Sequence, residues 1–165
     1  MRLRSLPLLV SGLLLLAGCG DSSGESGASG GAPADGGSSA SDAVLTTADS
    51  EFGEIVVDAE GRTVYVFDRD TAGSGSSACT DQCLENWPAV VAGDADPAVH
   101  GVTGDVGTIE RADGTMQVTL AGRPLYTYVG DGDAGDVTGQ GVQDVWWVVG
   151  PDGTAVTGAA PGPAY

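Results

Sequence analysis

Two cysteines four positions apart, in Cys79-Thr80-Asp81-Gln82-Cys83, are the residues of this chain best placed to do chemistry. At spacing i, i+4 in a loose helical turn their sulfurs can approach, and a disulfide requires Cα atoms within about 7 Å and a suitable dihedral. In an oxidising compartment an even pair reads first as a structural bridge. So short a loop places its entropic effect toward the low end of the usual range. A short or strained bridge is also easier to reduce, which makes a redox role the second reading. The third is copper, because Cys79, Cys83, His100 and Met116 are soft or borderline donors.

Carboxylates are the other chemical resource. Asp131-Gly132-Asp133-Ala134-Gly135-Asp136 and Asp68-Arg69-Asp70 place oxygens at short intervals in loops, and Ca²⁺ takes roughly six to eight of them. The calcium candidates are Asp131, Asp133 and Asp136. Neither loop matches an EF-hand, since the intervening Asp and the later bidentate Glu are missing. Asp70 and Asp131 equally suit the acceptance of turn amides, a common use of Asp. Paired carboxylates can hydrolyse glycosides, yet no second motif supports that here. The chain holds no nucleophile elbow, zinc-protease helix or phosphate loop, so no catalytic residue is assigned.

These groups sit around a repeated stretch. Gly61-Arg62-Thr63-Val64-Tyr65-Val66-Phe67-Asp68-Arg69-Asp70 occurs again as Gly122-Arg123-Pro124-Leu125-Tyr126-Thr127-Tyr128-Val129-Gly130-Asp131, 61 positions later. The motif residues are Gly61, Arg62, Tyr65, Phe67 and Asp70, then Gly122, Arg123, Tyr126, Tyr128 and Asp131. On a strand, Tyr65 and Phe67 project to one face and Val64 and Val66 to the other. Apolar residues on both faces imply strands covered on both sides, with the aromatics in a shared core.

Upstream, the chain carries an address. Arg2 and Arg4 precede an apolar run from Leu6 to Leu16, the pattern of a signal peptide over 1–18. The run is too short to span a membrane. Leu16-Ala17-Gly18-Cys19 resembles a bacterial lipobox, which implies cleavage before Cys19 and lipidation of its thiol. Several acyl chains there would hold the protein at the membrane stably, where one would be marginal. Residues 20–42 are nearly all Gly, Ser, Ala and Asp. Such a composition cannot offset its ordering entropy, which predicts a disordered tether with a root-mean-square span of roughly 25 Å.

Charge fits that destination. Six Arg against 23 acidic residues give a net charge of −17, with no Lys. Without Arg2 and Arg4 the balance is 4 minus 23, or −19. A surface of that sign repels nucleic acid.

Residues 43–158 have the punctuation of one β domain, with halves at about 43–104 and 105–158 and a frayed tail over 159–165. Glu54 to Asp58, the turn Ala59-Glu60-Gly61 and Arg62 to Phe67 predict a hairpin. Val106 to Arg111, Thr115 to Leu120 and Arg123 to Tyr128, joined by Ala112-Asp113-Gly114 and Ala121-Gly122, predict a three-stranded meander. Val145 to Val149, Pro151-Asp152-Gly153 and Thr154 to Thr157 predict a final hairpin. The one helical candidate lies near 77–87, with Ser76 or Ser77 as its cap and Pro88 at its end. Ala89 to Val91 suits a short strand. Trp87 lies 22 residues after Tyr65 and Trp147 lies 21 after Tyr126, which pairs them as equivalents. Each half, of roughly 55 residues, is marginal alone. The expectation is a mainly β fold, two pseudo-repeats packed as a small sandwich or barrel about a pseudo-twofold axis.

Tyr65-x-Phe67-x-x-Asp70 and Tyr126-x-Tyr128-x-x-Asp131, with the lipobox upstream, resemble the bacterial secreted-repeat lipoproteins described by a Yx(F/W/Y)xxD motif. The resemblance extends to Cys79-x-x-x-Cys83 before Trp87-Pro88, to Asp113 through Thr119, and to Gly139-Gln140-Gly141 before Trp146. It covers essentially the whole domain. That family has no established biochemical function, so the resemblance implies architecture and location. Cys-x-x-x-Cys with a distant His also resembles the copper site of thioredoxin-like chaperones of cytochrome oxidase assembly, but those need a βαβ framework whose helices this chain lacks.

The sequence therefore points to a non-catalytic binding or structural module of the cell envelope. It is expected on the extracytoplasmic face, with the membrane and an envelope or exported protein as partners and no cofactor. The alternative is an exported redox or electron-transfer accessory protein using Cys79 and Cys83, with or without copper. Function is expected where the halves differ, which again singles out that pair.

Overall fold

The computed structural model describes residues 43–158. The signal peptide, Cys19 and tether expected over 1–42, and the tail expected over 159–165, lie outside the described residues. In chain order the elements are β1 (Leu45–Ser50), β2 (Gly53–Asp58), β3 (Tyr65–Phe67), α1 (Gln82–Asn86), β4 (Val91–Ala92), β5 (Val106–Glu110), β6 (Met116–Leu120), β7 (Arg123–Tyr126), a 3-10 turn (Val142–Asp144) and β8 (Trp146–Val148). β1 and β2 form one antiparallel sheet. The second has the order β4-β6-β7-β3-β8, with β5 also on β6. The fold is mainly β and its sheets stay open, so the barrel alternative is not realised. Among the described residues no helix is long and apolar enough to cross a membrane.

The turns follow their residues. At the first, Gly61 donates to the Asp58 carbonyl at 3.0 Å and Asp58 donates to the Arg62 carbonyl at 2.9 Å. Gly61 has a φ of 80°, the left-handed conformation this three-residue loop requires. The loops Arg111–Thr115 and Gly150–Thr154 repeat the same hydrogen bonds. In both, the Asp of an Asp-Gly-Thr triplet accepts the Thr amide and hydroxyl. Those bonds hold the carboxyls of Asp113 and Asp152 below the usual carboxylate range. Between β6 and β7 the loop shrinks to Ala121-Gly122, with φ values of 49° and 75°, as a two-residue turn demands. A side chain at Gly122 would also sit 2.9 Å from the Gly73 amide nitrogen.

The halves exchange strands. β6 and β7 pair only beside their turn, at Thr119↔Pro124 and Leu120↔Arg123. The segment after Trp87 fills the gap beyond. Val90 donates to the Leu125 carbonyl at 3.0 Å, and its own carbonyl accepts the Val118 amide at 2.8 Å. The first half is built the same way. Val64 donates to the Val56 carbonyl at 3.1 Å beside the turn, and then Val149 enters, accepting the Val56 amide at 2.9 Å. β8 meanwhile pairs with β3. Each half thus completes the other's sheet, about an axis beside Tyr65 and Tyr126, which face each other in the β3–β7 pair.

This exchange changes two expectations. The hairpin joining Glu54–Asp58 to Arg62–Phe67 survives only near its turn, and β2 pairs along its whole length with β1 instead. The equivalent of Trp87 is Trp146 rather than Trp147, because Trp87 and Trp146 each stand three residues ahead of the inserted Val90 or Val149. The matching bonds Val129 N to Asn86 O at 3.1 Å and Asp68 N to Val145 O at 2.9 Å fix that register. Trp147 faces the other way and donates its indole N–H to Asp68 Oδ2 at 2.7 Å.

β3 and β7 are covered on both sides. One cluster is aliphatic and includes Leu45, Val56, Val64, Val66, Val118, Leu120 and Leu125. The other holds Ile55, Val57, Tyr65, Phe67, Cys79, Trp87, Tyr126, Trp146 and Val148. The helix expected near 77–87 shortens to α1. Asp81 takes a positive φ of 50° just ahead of it, and Ser77 Oγ accepts the Cys79 amide at 3.1 Å rather than capping a helix.

Candidate functional site

The repeated motif closes on itself crosswise. Tyr65 donates its hydroxyl to Asp131 Oδ2 at 2.6 Å, and Tyr126 donates to Asp70 Oδ2 at 2.7 Å. The tyrosine of each half therefore binds the aspartate of the other. The second carboxylate oxygen of each aspartate ties down its own loop: Asp70 Oδ1 accepts the Ala78 amide at 2.6 Å, and Asp131 Oδ1 accepts the Thr138 amide at 2.9 Å and hydroxyl at 2.6 Å. Tyr65 Oη also accepts the Gly139 amide at 3.2 Å, while Tyr126 Oη shares a 2.7 Å bond with Ser77 Oγ. Both phenols are fully buried. Burial first, and then for Tyr65 the Asp131 bond, pushes its ionisation well above the usual phenol range. Burial likewise raises Tyr126; the Ser77 bond opposes the shift and the Asp70 bond adds to it.

The remaining motif residues support this lock. Arg123 reaches across to the Phe67 carbonyl and Asp68 Oδ1, both at 3.1 Å. Arg62 stays in its own turn, 2.7 Å from Asp58. Phe67, Trp146, Trp87 and Tyr128 form a four-ring stack. Its centroid separations are 4.2 Å, 3.8 Å and 4.3 Å in that order. Rings of the two halves alternate along it, and the central tryptophans lie within 4° of parallel. Tyr65 and Tyr126 meet Trp87 and Trp146 edge-on. Gly139 fits because it lacks a side chain: a Cβ there would lie 2.8 Å from the Tyr65 ring.

Cys79 and Cys83 form a disulfide with Cα atoms 5.3 Å apart. Cys79 is buried, whereas half-buried Cys83 lines an open cleft of about 490 Å³. The edges of the aromatic stack form the floor of this cleft. Arg69, Gln82, Asn86 and Gln143 are on its walls. It draws on both halves.

A family model described as a secreted repeat of unknown function matches the chain twice, over residues 46–91 and 107–150. The chain belongs to that family. No curated protein and no solved structure matches it. Each match in this secreted repeat protein contains one copy of the tyrosine motif and one tryptophan of the stack. The family description makes the chain an exported one.

The metal candidates do not assemble in this secreted repeat. Asp131 spends both oxygens on Tyr65 and Thr138. Asp136 Oδ2 accepts the amides of Gly132 and Asp133, each at 3.0 Å, so this acidic loop folds onto its own backbone as a turn. The calcium candidates Asp131, Asp133 and Asp136 are thus not brought together as a metal-holding group among the described residues. Of the copper candidates, Cys79 and Cys83 are joined to each other and offer no thiolate in this oxidised form. His100 is exposed, with its amide on the Leu45 carbonyl, and Met116 pairs with Ala92 and Glu110. Among the described residues no group of three or more His, Cys, Asp or Glu is placed to hold a metal ion. Sequence reasoning singled out Cys83 and the motif aromatics but missed the cleft walls. Arg69 gave one usable signal: it stands where the second copy of the motif has Gly130.

Proposed function

We propose that this secreted repeat is a lipid-anchored, non-catalytic binding module of the cell envelope. Cys19 holds it on the extracytoplasmic face of the membrane, and the aromatic cleft meets an envelope component or another exported protein. The observation that carries this reading is the consumption of the reactive-looking groups by internal bonds. Tyr65, Tyr126 and both motif aspartates are buried and partnered, and the two domain cysteines are bonded to each other. What remains open is a cleft. Its volume lies in the range of small-molecule and side-chain sites, roughly 300–1,000 Å³. The anchor is tested by Cys19→Ser in the full-length protein. Fatty-acid labelling should disappear and the protein should move from the membrane to the soluble fraction. Retention at the membrane by the variant would contradict the anchor.

A redox role is the second reading, favoured by one observation: the half-buried Cys83 reaches the cleft. A partner thiol entering there would meet its sulfur first. Thiol titration across a graded glutathione series discriminates between the readings. A bridge that stays closed throughout ends the redox reading, and one that opens within the range of exported oxidoreductases favours it.

A further inference from the structure

The cleft differs in charge from the rest of the molecule. The sequence carries 23 acidic residues against six basic ones, yet no carboxylate lines the cleft, whose walls carry one arginine and three carboxamides. Arg69 is also distinct among the arginines of the domain. Arg62 and Arg123 are in ion pairs, and Arg111 donates to Gln117 and to the Cys79 carbonyl. Arg69, among the described residues, has no hydrogen-bond or ion-pair partner. It is exposed and lies over the Phe67 ring, 5.9 Å from its centroid. That contact sets the guanidinium beside the Phe67 ring, in the cleft lining, and leaves its N–H donors free.

The floor of the cleft is apolar: Trp87 and Trp146 line it, although only 4% and 2% of their surfaces are exposed. The faces of the inner rings are taken: Phe67 is covered by Arg69 and Trp146, Trp146 by Phe67 and Trp87, and Trp87 by Trp146 and Tyr128. The cleft offers ring edges, whose positive rim suits π-faces and acceptor oxygens, together with one unpaired cation and amide donors.

We infer that the cleft binds a planar apolar group carrying a single carboxylate, with the carboxylate on Arg69 and the ring against the edges of Trp87 and Trp146. This rests on the binding-module reading and specifies its ligand. The group is either a free small acid or a side chain presented by a protein. One negative charge is preferred over several, because the domain's overall acidity penalises each additional charge.

The test uses the three indole N–H signals of the folded protein in ¹H–¹⁵N spectra, titrated with naphthalene-2-carboxylate and with its neutral carboxamide. Trp147, whose N–H is held by Asp68, serves as the internal control. The carboxylate should shift the Trp87 and Trp146 signals but not that of Trp147, and should bind about tenfold more tightly than the carboxamide. Arg69→Gln, at an exposed position, should remove that difference and leave the melting temperature unchanged. Equal binding of both probes, or an undiminished preference in Arg69→Gln, would overturn the inference while leaving the cleft as a binding site. No shift with either probe would overturn both. A glutamate-terminated peptide carrying a neighbouring aromatic, run in the same titration, separates the two sources: tighter binding than the free acid assigns the cleft to a protein partner, and weaker binding assigns it to a small acid.

Discussion

At the scale of single residues, the most distinctive side chains of the chain serve its interior. Tyr65 and Tyr126 are the largest fully buried side chains in the domain, and each donates to a buried carboxylate from the opposite half. Removing one hydroxyl leaves Asp131 or Asp70 with an oxygen facing an apolar ring. Tyr65→Phe should therefore cost roughly 1–3 kcal/mol in urea unfolding. The same phenols set an alkaline limit. Their ionisation is raised in the folded protein, whereas in the unfolded chain they ionise at about pH 10, as an ordinary phenol does. Their contribution is thus fully present below that pH and is lost as pH rises beyond it. The melting temperature should fall above about pH 10, and less steeply in Tyr65→Phe. An identical slope in the variant would contradict the assignment. Which residues matter was legible in the motif, because Gly61, Tyr65 and Asp70 recur intact as Gly122, Tyr126 and Asp131. Their partners were not legible, because spacing along one strand does not say which carboxylate will lie across the sheet.

At the scale of elements, the turns were the readable part. Asp-Gly and Ala-Gly steps between apolar runs placed the loops after Arg111, Leu120 and Gly150 correctly, since the backbone conformation is set within the loop itself. The strands carried less information. β1 has a polar composition, Leu-Thr-Thr-Ala-Asp-Ser, that gave no alternating signal. The exchanged segments around Val90 and Val149 look like ordinary short strands, and nothing local shows that they leave their own half. The adjacent Trp146 and Trp147 made the choice of equivalent ambiguous, and only the inserted strand settles it. The structure also ranks two stabilising elements. The disulfide closes a loop of sequence separation 4, so its stabilisation is at the low end of roughly 2–4 kcal/mol. Trp146, 2% exposed and touching Phe67, Trp87 and Tyr126, should cost roughly 3–5 kcal/mol on replacement by Ala. Urea unfolding of the reduced protein and of Trp146→Ala should therefore show the larger loss in the variant. The reverse order would mean that the bridge, rather than the ring stack, holds the first loop.

At the scale of the whole domain, duplication has produced one folding unit rather than two. Each half lends a strand, a tyrosine and a stacked tryptophan to the other, so neither sheet nor core closes without both. A domain of this size has little apolar area to spare, and interdigitation lets the halves share one core across their axis. The mainly β class, the two repeats and the shared core could be read from the sequence, because they follow from pattern and length. The exchange could not, since it is a property of the pair. The central claim is that the motif works between halves, as a reciprocal lock. Double-mutant cycles on urea-unfolding free energies test it most directly, using Tyr65→Phe with Asp131→Asn across the halves and Tyr65→Phe with Asp70→Asn within one. The account predicts a coupling of about 1 kcal/mol or more for the first pair and near zero for the second. A coupling concentrated in the Tyr65–Asp70 pair, with none between Tyr65 and Asp131, would contradict it.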